Sequence, residues 1–167
     1  MRVLAIDPSL RSTGFAILEK VAGKVHVLEY GAIKNKPALL LSGCLVAIYE
    51  RVRELIQTHE PECAAFESII YVQSMRTAIV LGTARGAALL AAAQRGLPIH
   101  EYAPRRVKQS VVGRGGAQKN QVGFMVRALL GLTETPGSDA ADALAIGLTH
   151  FQTSESAARG VGAMQRI

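Results

Sequence analysis

The sequence has 167 residues, 49% of them hydrophobic, enough for one domain whose core needs no disulfide or zinc staples. Its net charge of +6 is uneven: between Tyr102 and Thr133 six cations stand with no acid, so the remaining 13 cations and 13 acids cancel. Two cysteines without CxxC spacing predict reduced core thiols in a cytoplasmic protein, and neither a signal-peptide pattern nor an apolar run near the roughly 20 residues of a membrane span is read from the chain.

In chain order, residues 2–7 read as a buried strand, followed by TGFAILEK and KVHVLEYGAI as two strands around a turn at Gly23. From Pro37 to His59, Leu41, Leu45, Ile48, Val52 and Leu55 recur at steps of four and three, which predicts one amphipathic helix. Pro61 breaks it, and ECAAFES is a fourth strand. A helix from the N-cap Ser74 to the stop Gly96 is apolar or small nearly all round, as expected for a helix covered on more than one side, here by the sheet and a second subunit.

LPIHEY is the fifth strand. APRRVKQSVVG and AQKNQVGFMVRALLG read as helices joined by the glycine-rich loop 113–116, and a last helix runs from about Ser138 to Gln152. Residues 154–167 are expected to be a flexible tail, leaving residues 1–153 as a single domain. An antiparallel opening followed by alternating helices and strands predicts a five-stranded mixed α/β sheet flanked by helices on both faces.

Four acids stand out. Asp7 closes the apolar run VLAI, Glu67 closes CAAF, and Asp139 and Asp142 open SDAADALAIGL. Strand-end acids gather at the carboxyl edge of an open sheet, and acids three apart on a helix share a face. Hard dications such as Mg²⁺ or Mn²⁺ prefer such oxygen ligands, so the set suggests a two-metal phosphodiester hydrolase with Asp7 as the bridging ligand. The acid-free basic segment predicts a polyanion partner.

IDPSLRSTG, AFES, the stretch from LGTARG to QKNQV, and DAADALAIGLTH together resemble the RuvC family of Holliday junction resolvases over most of residues 2–151. The resemblance implies a ribonuclease-H-like fold, a homodimer, two Mg²⁺ or Mn²⁺ ions per site, a four-way junction DNA substrate and a branch-migration motor complex as partner. It places the family's acids on Asp7, Glu67, Asp139 and Asp142, and its backbone-engaging lysines on Lys108 and Lys119. A lysine there would also stabilise charge growing on the phosphate. Arg76, Arg105 and Arg114 are further candidate DNA contacts.

The family usually has an aromatic residue three positions after the strand-end glutamate. Here that place is Ile70, with Tyr71 beside it, and both are candidates for contact with bases at the junction centre. Three other readings compete: a related nuclease acting on RNA, an actin-like ATPase or sugar kinase domain, and a non-catalytic DNA-binding module.

Overall fold

The computed structural model describes residues 1–69, 74–160 and 164–167; Ile70 and Tyr71 lie outside the described residues. The elements are β1 (Arg2–Asp7), β2 (Ser12–Val21), β3 (Lys24–Lys34), α1 (Leu41–His59), β4 (Cys63–Glu67), α2 (Met75–Gln94), β5 (Ile99–Tyr102), α3 (Pro104–Val112), α4 (Lys119–Leu130) and α5 (Ser138–Ala158). They form one five-stranded sheet in the order β3-β2-β1-β4-β5. β1 runs antiparallel to β2 and parallel to β4, and β4 is parallel to β5. The expected mixed sheet is therefore present.

Its central strand is covered on both faces, which explains an unbroken apolar run where a half-exposed strand would alternate. Val3 and Ala5 pack in one core with Leu144, Leu148 and Phe151 of α5, Val107 of α3 and Val126 of α4. Leu4 and Ile6 face the other core, with Ile48 and Val52 of α1 and Ala84 and Ala88 of α2. The β2–β3 turn is made by Ala22 and Gly23, both at positive φ, the backbone of a tight two-residue hairpin.

Two boundaries differ from expectation, and so does the end of the chain. α1 begins at Leu41 rather than near Pro37, and its N-cap, Leu40, offers no side chain to bond the first amides. α5 continues to Ala158, so five of the residues assigned to a flexible tail are helical. Beyond it, Glu101 donates its amide to Gln165 and Ile167 donates to Ile99, laying the last residues along the edge of β5.

α2 also corrects the reading of apolar runs, since by length and composition alone it could cross a bilayer. Here it is a layer of the fold. Ala84, Ala88, Ala91 and Ala92 are buried, and Arg85 pairs with Glu101 of β5. Met75, Ile79 and Leu90 stay exposed, so one face is covered and the other is not. Between α1 and α2 that uncovered side forms a cavity of about 340 Å³ lined by Leu45, Val46, Tyr49, Gly86 and Leu90.

Candidate active site

Because β1 and β4 are parallel neighbours, their last residues, Asp7 and Glu67, emerge at the same sheet edge. α5 brings its acids there by crossing β2 at Gly14, the partner of Asp7 in the β1–β2 ladder. A Cβ on Gly14 would collide with the backbone carbonyl of Asp139, so only glycine lets the helix start this close to the sheet. Further along, Gly147 seats α5 against Leu18 and Ala5 in the same way.

The edge opens into a cavity of about 410 Å³ lined by Asp7, Pro8, Glu67, Ser68, Ile69, Leu81, Pro104 and Arg105. Asp7 is pushed up to about 7, first by burial and then by the neighbouring charges of Glu67 and Asp142. Glu67 is also pushed up to about 7, by burial and then by Asp142, with Lys119 and Lys108 opposing the shift. Lys119 Nζ donates to Asp142 at 3.0 Å, and that bond holds the ammonium above its ordinary range. The Asp139 carboxylate accepts from the Ser12 hydroxyl.

The structure thus brings Asp7, Glu67, Asp142 and Lys119 into one electrostatic group, and the charge of Asp139 also acts on Asp7 and Lys119. Asp139 sits one turn away and also borders a separate hollow beside Tyr30 and Lys34. Among the described residues, no three His, Cys, Asp or Glu side chains close to within a single ion's reach. Like-charged carboxylates repel, and here Asp142 and Asp139 each turn to a partner of their own.

In chemistry the donor set still fits a hard cation: clustered carboxylates at a cavity, two of them kept near 7 by burial and mutual repulsion that a dication would relieve. Around this edge, Arg105 lines the cavity and Lys108 is close enough to act on Glu67. Arg114 is exposed in the loop before α4. Arg76 is exposed in the first turn of α2 and is not among the cavity's lining residues.

Sequence reasoning missed Ser12 and the role of Gly14, although both lie in the quoted IDPSLRSTG run. It also missed a polar knot at the opposite sheet end. The Cys63 Sγ lies 3.2 Å from His150 Nε2, and the Tyr102 hydroxyl lies 2.9 Å from His150 Nδ1. The His100 ring lies tilted against that of His150, with the centroids 5.0 Å apart. Burial, then His100, lowers His150 to about 4, and burial raises the Cys63 thiol to about 11. Both are neutral at pH 7, and both cysteines are free and buried, as expected.

Residues 3–150 match the family model described as crossover junction endodeoxyribonuclease RuvC. The chain is 54% identical over 155 residues to the crossover junction endodeoxyribonuclease RuvC of Akkermansia muciniphila, covering 93% of each. It is 45% identical over 163 residues to the protein of that name from Saccharophagus degradans, covering 98% of this chain and 94% of the relative. Among solved structures, T. thermophilus RuvC in complex with Holliday junction substrate superposes with a TM-score of 0.90 at 34% identity, covering 100% of this chain and 99% of that one. The yeast mitochondrial Holliday junction resolvase Ydc2, at 15% identity and a TM-score of 0.57, covers 95% of this chain and 82% of its own and shares the fold alone. The fold is ribonuclease-H-like, and the chain belongs to the RuvC family of crossover junction endodeoxyribonucleases.

Proposed function

We propose that this protein resolves four-way DNA junctions in recombination and repair by metal-dependent hydrolysis of phosphodiester bonds. The observation that carries this reading is the carboxylate group of Asp7, Glu67 and Asp142 beside an acid-free basic segment, in a chain of this family. Two Mg²⁺ ions per site are proposed, with Mn²⁺ able to replace them. Asp7, Glu67, Asp142 and Asp139 are the residues that would hold them, with Asp139 having to leave Ser12. Bound there, divalent cations supply Lewis-acid chemistry: activation of water and relief of charge at the phosphate.

The chain's own residues do the rest. Asp7, on the rigid end of the central strand, would hold a cation in a fixed place at the sheet edge, while Pro8, Ile69 and Leu81 form the apolar side of the cavity and limit water. Lys119 already lies against Asp142; on the phosphate it would hold charge that grows in the transition state. Arg105, Lys108 and Arg114 would bind the DNA backbone and set its register. Arg76 at the start of α2 is a further backbone contact, and Ile70 and Tyr71 are the proposed contacts to bases at the junction centre.

A homodimer would repeat the site in inverted orientation, which suits cuts on opposing strands. Its interface is proposed on the uncovered side of α2 with Leu45, Val46 and Tyr49 of α1. Sedimentation showing only monomer at micromolar protein, with and without junction DNA, would exclude it. A cytoplasmic setting and delivery of the junction by a branch-migration motor complex are further parts of this proposal, supported by the family resemblance alone.

The test is a cleavage assay on a four-way junction, a linear duplex and an RNA–DNA hybrid, with Mg²⁺ and with chelator. Paired nicks confined to the junction, and abolished by chelator, are the expected result. Faster cleavage of the hybrid would assign the chain to RNA processing instead.

A further inference from the structure

The outer face of α4 has no part in the chemistry described so far. Asn120, Gln121, Phe124, Arg127 and Ala128 are all exposed there, at the three- and four-residue spacings that share one side of a helix. Phe124 is 59% exposed. With Asn120, Gln121, Met125 and Val112 of α3 it lines a cavity of about 330 Å³. The Asn120 and Gln121 carbonyl oxygens accept from the amides of Gln121 and Gln118, which leaves their NH₂ groups as the atoms available to a ligand.

Charge decides what fits. Residues 103–133 hold six cations and no acid, and α4 begins at Lys119, whose ammonium touches the catalytic edge through Asp142. Arg127 is the cation on this face itself, and a second copy seated there about a two-fold axis would set it against its own image with no acid of the segment to pair it. A nucleic acid would not, since every base offers a face for an aromatic ring and phosphates surround it.

We propose that this face of α4 is a second DNA-contact surface, on which Phe124 seats against an unstacked base of a junction arm while Asn120 and Gln121 donate to base edges or phosphates. It rests on the junction-binding reading above. An amide pair beside an aromatic ring can contact a base both edge-on and face-on, and Arg127 on the same side adds one phosphate contact.

The sequence contains no tryptophan, so Phe124→Trp places a single tryptophan on this surface, excited selectively over the four tyrosines at long wavelength. In chelator, which keeps the substrate uncut, a four-way junction should quench its emission. Phe124→Ala should weaken junction binding about tenfold, the scale of one lost base–aromatic stack, with the salt dependence unchanged. Arg127→Gln should instead reduce the slope of log K against log salt by about one. Unchanged emission and affinity, in a parent protein that does bind the junction, would overturn this surface alone. A parent that binds no junction would remove both the surface and the function it rests on. Altered sedimentation of DNA-free Phe124→Ala would mark the face as a protein contact and overturn the proposal as well.

Discussion

The two ends of the sheet bury ionisable groups in opposite ways. At the amino end, Cys63 and His150 are neutral and in contact, and Tyr102 reaches back from the last residue of β5 to bond the other ring nitrogen, so nothing remains for a ligand to neutralise. At the carboxyl end, Asp7 and Glu67 sit among other carboxylates, and Lys119 is the cation bonded to the group. Both arrangements use the same strands and the same helix α5. What separates structural from chemical burial is whether the charges balance without outside help.

The sharpest way to break this contrast is Asp7→Asn, which removes one charge at almost constant volume. Cleavage of a four-way junction should fall by about 10³-fold or more, since the central ligand of a metal site is lost, while gel-shift affinity stays within a few-fold of the parent. Retained Mg²⁺-dependent cutting would disprove the assignment of Asp7. Next in size, Lys119→Met should slow single-turnover cleavage by about 10²-fold and weaken binding much less. Equal losses in both would make it a binding residue only.

At the other end, His150→Ala leaves a cavity and strips partners from Cys63 and Tyr102, so it should lower unfolding free energy by about 2–4 kcal/mol in denaturant melts. The Mg²⁺ concentration giving half-maximal cleavage should not move. A shifted metal requirement would mean the two ends are not separate.

The smallest effect is on pH. Asp7 and Glu67 rise from ordinary values of 3.8 and 4.5 to about 7 in the folded chain. The folded state therefore binds more protons than the unfolded state between about pH 4 and 7, and stability in chelator should fall as pH rises through that window. Thermal melts should show the decline, and Asp7→Asn should flatten it. A melting temperature that climbs across the same range would contradict the raised carboxyls.

Much of this was legible because local signals and the global fold agree. Strand-ending acids, the break at Pro61 and the left-handed glycines after α3 and α4 act within a few residues. Ser12 and Asp139 are 127 residues apart, and Cys63 and His150 are 87 apart, so no local pattern announces their contacts. The end of α5 was misplaced for another reason. SESAA looks polar and loop-like, but Ser154 and Ser156 return their hydroxyls to the carbonyls of His150 and Gln152, which lets the helix continue. Asp142, Glu67 and Lys119 were placed by pattern and resemblance, whereas Ser12, the partner that restrains Asp139, emerged only from packing.

α5 carries Asp139 and Asp142 near its first turn and His150 about two turns beyond Asp142. At 1.5 Å per residue, Asp142 and His150 are separated by about 12 Å along a stiff rod. Pivoting that rod by about 5° at the histidine would swing the aspartate by about 1 Å, a misplacement large enough to cost about 10²-fold in rate. The close seats at Gly14 and Gly147 stand between the histidine and any such swing, so the quiet end can loosen without spoiling the acids' aim.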